Sequence, residues 1–267
     1  FPVKKEFLVL RCMQGDLANG LFSEFAVVLG ALEHYARWRA IYAGFRVDYE
    51  DRGYYYDAAT GPNWWAYYFE PVEIGQRSES ATLYLSPSQH DLLAARIEDA
   101  GLSREHCHQL LQPYVRVKPH VAERIASFVH GNFQGAYIFG IHYRGTDKAA
   151  EAPLIPYEDV VKALREAIAA INPPSYRLFI ATDEQAFVEY MRGLYQDRVV
   201  CREVFRSVDG APIHIGRPDN YRSGEDAVID CLLLSRCDHL IRTPSNLGLC
   251  ASFFNPGMPV VLLGDPG

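Results

Sequence analysis

The apolar residues of this chain recur in two rhythms. Short continuous apolar runs, "FLVL" at 7–10, "AYIFGI" at 136–141, "RLFIAT" at 177–182 and "PVVLL" at 259–263, predict buried strands. Longer stretches, in which apolar residues return every third or fourth position, predict helices. Leu21, Phe25, Val28, Leu29, Leu32 and Ala36 form the first such face, and Val160, Val161, Leu164 and Ile168 a second, closed by "NPP". "RVDY" (46–49), "RVVCREV" (198–204) and "DHLIRT" (238–243) are further strand candidates. "SPSQHDLLAARIEDAGL", "KPHVAERIASFVHGNF", "GEDAVIDCLLLSRC" and "SNLGLCASFF" are further helix candidates, and Asp183 stands as the natural N-cap of another. Residues 50–75 are rich in Tyr, Trp, Gly and Pro without periodicity and read as an ordered aromatic loop region.

Strands that alternate with helices imply parallel sheets covered on both faces. The expected fold class is therefore α/β. It is GT-B-like, with two Rossmann-like domains whose parallel sheets face each other across a cleft. The expected boundary divides 1–130 from 131–267. No internal repeat, heptad or low-complexity tract is present.

Composition narrows the function. The formal net charge is −7, so the basic footprint of a nucleic-acid binder is missing. An anionic small ligand remains open, because a local Arg and a helix N-terminus suffice to hold one. The six cysteines have no C-x-x-C spacing, and Cys231, Cys237 and Cys250 lie among apolar neighbours as expected of buried thiols. No apolar run is long enough to predict a transmembrane segment. The chain opens at Phe1 rather than Met, as expected where a leading segment has been removed, and the expected location is the cytoplasm.

In open parallel sheets, ligands bind beyond the carboxyl ends of the strands. That rule selects four polar loops: Gln14–Gly20, His142–Ile155, Thr182–Glu184 and Thr243–Leu249. Asn19 and Gly20 could bring backbone N–H groups to a diphosphate, or simply form a helix-entry turn. Arg144 has the planar fork that pairs with phosphate oxygens, and His142 could donate a hydrogen bond beside it. Asp147 and Lys148 could shape the loop as an ion pair, and Glu151 could serve as a base. Asp183 and Glu184 follow the third strand. Ser245 and Asn246 open a helix, where they either take phosphate oxygens or only cap it. Asp230 interrupts the apolar helix "AVIDCLLLS", where a carboxylate needs either a ligand or a partner such as Arg222. Trp64, Trp65, Tyr67 and Tyr68 would suit a sugar-binding face or an aromatic core. D-x-D, P-loop, H-E-x-x-H and G-x-S-x-G motifs are absent, which disfavours D-x-D glycosyltransferases, P-loop kinases and serine hydrolases.

"GIHYRGTDK" at 140–148 resembles the H-x-R-R-T-D-K motif of the α-1,6-fucosyltransferase family, which includes nodulation and core fucosyltransferases. "LFIATDEQAF" and "VIDCLLLSRCDHLIRTPSNLG" resemble later motifs in the same order, and "GDLANGLFSEF" adds a thin likeness near the start. The resemblance implies a GT-B enzyme that uses GDP-fucose without a metal or other cofactor, inverts the anomeric centre, and serves a glycan or other hydroxyl acceptor. By position it gives Arg144 the β-phosphate, and His142 and Asp230 the nucleoside end. Ser245, Asn246 and Gly20 take the phosphates, and Asp183 shapes the donor site. Glu151 becomes the base, with Lys148 beside it. One departure stands out: Gly145 occupies the place of a second Arg, for which Arg11, Arg222 and Arg242 are candidate substitutes. The runner-up reading is a catalytically degenerate nucleotide-sugar-binding protein of the same fold. A nucleotide-sugar epimerase is a third reading, weakened by the missing dinucleotide fingerprint.

Overall fold

The run at 7–10 lies at the centre of β1 (Glu6–Arg11), whose Phe7, Leu8, Val9 and Leu10 are all buried. The structure is a computed structural model that describes residues 5–11, 20–50, 53–75, 82–85, 102–146, 154–208 and 219–264. The chain divides into two compact units. One comprises Phe1–Val121 with Pro218–Ala227, the other Ala122–Arg217 with Val228–Gly267.

In the first unit β1 leads to α1 (Leu21–Trp38) and β2 (Tyr42–Asp48). Then come a short helix α2 (Trp65–Tyr68), β3 (Glu73–Gly75), β4 (Thr82–Leu85) and α3 (Arg104–Leu111). The sheet order is β3-β2-β1-β4; β1 is parallel to β2 and β4, while β3 runs antiparallel to β2. The aromatic stretch expected to be a loop region thus contains a helix and a strand. Its rings are core: Trp64, Trp65, Tyr67 and Tyr68 are buried. Trp64 stacks on Tyr49 at 4.7 Å between centroids, and Trp65 packs on Phe69 at 4.6 Å. The sugar-binding alternative for these four rings is therefore overturned by burial. The helix expected at 86–101 lies outside the described residues.

The helix α4 (Pro119–Asn132) precedes a five-stranded sheet built from β5 (Tyr137–Tyr143), β6 (Tyr176–Thr182), β7 (Val199–Val200), β8 (His239–Arg242) and β9 (Val260–Leu262). Its order is β7-β6-β5-β8-β9 and every pairing is parallel. The crossovers include α5 (Tyr157–Ile171), α6 (Gln185–Tyr195), α7 (Asn220–Leu234) and α8 (Asn246–Phe254). One core packs Phe139, Ile141, Ile180 and Ile241 with Val160, Leu164, Phe187 and Met191. Elsewhere Phe179 meets Phe128 and Phe133 at 5.6 and 5.5 Å. Burial on both faces explains why these strands read as continuous apolar runs.

Two expectations need correction here. The strand expected over 198–204 is only Val199–Val200, because the polar residues that follow leave the sheet. Asp183 does not cap the following helix: α6 has Glu184 at its N-cap position, without a side-chain capping bond. The carboxylate of Asp183 is engaged elsewhere. Among the described residues no helix is long and apolar enough to cross a membrane.

Candidate functional site

The second sheet ends its central strands in His142–Tyr143 on β5, Thr182 on β6 and Arg242 on β8, so the loops after these strands gather at one edge. Asp183 organises that edge. It is buried, and its Oδ1 accepts from the backbone N–H of Gly145 at 3.0 Å. Its Oδ2 accepts from the Thr146 hydroxyl at 2.7 Å and pairs with Nε of Arg144 at 3.2 Å. From the other side Thr243 clamps the loop: its Oγ1 accepts from the Arg144 backbone N–H at 3.0 Å, and its own N–H donates to the His142 carbonyl at 3.0 Å. Three consecutive residues are thereby fixed, and the Arg144 guanidinium is held by Nε with its side chain 27% exposed.

His142 is buried beside this arginine. Burial first, then the charges of Arg144 and Arg242, lower its pKa to about 3. The ring is therefore neutral, with one donor and one acceptor nitrogen, and its Nδ1 has no hydrogen-bond partner among the described residues. Arg242 is its register partner on β8. Gly248 of α8 lets the helix close onto both: a Cβ there would stand 3.1 Å from Cδ of Arg242 and 3.2 Å from Nδ1 of His142.

Gly145 has a local cause. A Cβ at this position would lie 2.2 Å from Cδ of Glu184. The Glu184 carboxylate thus occupies the volume in which a side chain at 145 would begin. Glu184 is itself anchored, accepting from the Tyr157 hydroxyl at 2.7 Å. Burial, then that hydrogen bond, push the Tyr157 phenol up. Burial, then Glu184 and Asp183, push Tyr143 up to about 12.

Ser245 is the N-cap of α8, where its side chain accepts from the Leu247 N–H at 3.2 Å, and Asn246 is the first residue of that helix. Asp230, on α7, is ion-paired with Arg202 at 3.0 Å, rather than with the Arg222 considered from sequence. In the first unit Gly20 is the N-cap of α1, with nothing closer than 3.9 Å to a Cβ built there. The next N–H, that of Leu21, already donates to the Tyr55 hydroxyl at 2.9 Å. Asn19, Asp147, Lys148 and Glu151 lie outside the described residues. The edge of the second sheet therefore brings together His142, Arg144 and Asp183. Thr146 and Thr243 lie in loops selected from the sequence but were not singled out there, and Tyr157 and Arg202 were missed. Among the described residues no group of three His, Cys, Asp or Glu side chains is placed to hold a metal.

A model of the Nodulation protein Z family matches residues 42–258, most of the chain. The chain belongs to the Nodulation protein Z family. Over 168 residues it is 27% identical to Nodulation protein Z of Bradyrhizobium diazoefficiens, covering 57% of this chain and 44% of that one. Over 202 residues it is 24% identical to Nodulation protein Z of Sinorhizobium fredii, covering 68% and 62%. The match therefore spans less than two thirds of either relative. Among solved structures, it is similar to NodZ α-1,6-fucosyltransferase soaked with GDP-fucose, with TM-score 0.63, 19% identity, and coverage of 95% and 94%. It is also similar to POFUT1 in complex with GDP, with TM-score 0.56, 12% identity, and coverage of 98% and 99%. These likenesses share the fold, and the α/β, GT-B-like expectation holds at that level.

Proposed function

We propose that this chain is an inverting, metal-independent glycosyltransferase that moves fucose from GDP-fucose to a hydroxyl of a glycan or other acceptor. Residues 1–130 would carry the acceptor side, and residues 131–267 the nucleotide-sugar donor. The observation that carries this reading is the Arg144 loop, fixed by Asp183 and Thr243 at the carboxyl edge of an all-parallel sheet. Family membership and the names of the similar structures support the same donor.

In this reading Glu151, with Lys148 beside it, takes the proton from the acceptor hydroxyl, and Asp147 shapes the substrate-binding loop. The hydroxyl oxygen then bonds to C1 of fucose from the face opposite the diphosphate. The C1–O bond breaks, and GDP leaves with the electron pair. Charge growing on the β-phosphate is met by Arg144 and by the N-terminus of α8 at Ser245 and Asn246. The neutral His142 and the Asp230 carboxylate serve the nucleoside end. Asn19 and Gly20 are the proposed substrate contacts of the first unit.

Calorimetry with GDP and a radiolabelled GDP-fucose transfer and hydrolysis assay test the proposal together. Arg144→Ala should weaken GDP binding about tenfold or more, as expected for a lost hydrogen bond to a charged group, and abolish transfer. Glu151→Ala should keep GDP affinity and lose about 10²-fold or more in turnover. Absence of GDP binding in the wild type would overturn the reading. A second reading, nucleotide-sugar binding without catalysis, is favoured by the Glu184 carboxylate that fills the space beside Gly145. GDP binding without turnover would select it.

A further inference from the structure

Asp230 lies on α7 between Ile229 and Cys231, both almost wholly buried. A carboxylate in such surroundings needs a partner for its charge. One partner is Arg202, whose Nη1 donates to Asp230 Oδ1 at 3.0 Å and which is itself 9% exposed. Arg202 belongs to the short segment after β7, and that segment is locked at two points. Arg206 Nη2 donates to the Arg202 carbonyl at 2.8 Å. The Ser207 N–H donates to the Asp183 carbonyl at 2.8 Å, and the Gln185 N–H returns to the Ser207 carbonyl at 3.0 Å. Asp183 is the residue that fixes Arg144. A continuous set of contacts thus runs along one sheet edge, from Arg144 through Asp183 and the post-β7 segment to Asp230.

An arginine held on both its backbone and its guanidinium does more than neutralise. It fixes the rotation of the carboxylate, whose oxygens accept hydrogen bonds. We propose that Arg202 is a positioning residue that presents the Asp230 carboxylate as an acceptor for a nucleobase with adjacent ring N–H and amino donors, and so sets the preference for guanine. This rests on the donor-binding role given to Asp230 above. Removing Arg202 frees the carboxylate to rotate away from the base donors.

The test is calorimetry of GDP, IDP and ADP on the wild type, Arg202→Met, Arg202→Lys and Asp230→Asn, with thermal melting recorded for each. IDP lacks the 2-amino group, so the GDP/IDP affinity ratio reads that single hydrogen bond. The wild type should favour GDP over IDP about tenfold or more, the scale of a hydrogen bond to a charged group. Arg202→Met should bring the ratio close to one while leaving ADP binding little changed, and Arg202→Lys should restore part of it. Asp230→Asn should also collapse the ratio. A general structural loss would instead lower all three affinities in parallel. A wild-type ratio in folded Arg202→Met overturns the proposal, as does one in Asp230→Asn. Where Arg202→Met does not fold, Arg202→Gln replaces it, and a wild-type ratio there has the same force. Failure of the wild type to bind GDP brings down the donor reading itself. GDP binding with a ratio indifferent to Arg202 leaves that reading in place and removes only this inference.

Discussion

Glu184 decides what can stand at position 145. Its carboxyl carbon would be 2.2 Å from any Cβ there, and Tyr157 holds the carboxylate in place. Gly145→Ala should therefore destabilise the protein by about 1–3 kcal/mol, the usual range for forced overpacking. In urea denaturation the cost should largely vanish when Glu184→Ala is present as well; equal costs in both backgrounds would show that the two side chains do not compete. The neighbouring carboxylate supports a different expectation. Asp183→Asn keeps the shape but loses the charge that pairs with Arg144, and its amide cannot accept on both sides. GDP affinity should fall about tenfold or more with little change in the far-ultraviolet circular dichroism spectrum. In the sequence Asp183 looked like a helix cap because Asp before a helix usually is one. Its real partners, Arg144, Gly145 and Thr146, are nearly forty positions earlier, and a local pattern carries no trace of them.

Elements were legible where periodicity was long and bounded. The helix predicted by Val160, Val161, Leu164 and Ile168 and closed by "NPP" is α5, ended by Asn172 in the left-handed conformation (φ 46°) just before a proline. The buried parallel strands of the second sheet were also visible, since burial on two faces leaves an unbroken apolar run. β4 and α3 were missed because four residues and eight residues give too few repeats to set a period. β7 was overread: its apolar residues stop at Val200, and Arg202 turns toward Asp230, 28 positions onward. The short α2 was hidden for another reason. Three of its four residues are aromatic, and only tertiary packing shows that Trp65 is fully buried against Phe25 and Phe69. Trp65→Ala should cost about 3–5 kcal/mol, measurable as a lowered denaturation midpoint. An effect below about 1 kcal/mol would mean that the first unit does not depend on this ring.

At the scale of the whole molecule, buried neutral imidazoles link stability to pH. His142 has its pKa lowered from 6.5 to about 3, chiefly by burial, and His239 is shifted in the same direction by the same cause. Below about pH 6.5 the unfolded chain takes up protons that the folded chain refuses, so stability is lost as pH falls from that value toward the folded pKa. The loss from His142 should be on the order of a few kcal/mol between pH 6.5 and 3. His142→Gln should flatten the stability profile over that window, and an unchanged slope would remove His142 as its source. The contact between positions 145 and 184 has a consequence at this scale too, for the order in which a lineage can change. A side chain at 145 requires the Glu184 carboxylate to swing away from the Tyr157 hydroxyl, whereas shortening residue 184 first opens the space. Gain of a basic residue at 145 is thus coupled to residue 184: an isolated Gly145→Arg must displace the Glu184 carboxylate from Tyr157, and the same change after Glu184→Ala carries no such cost.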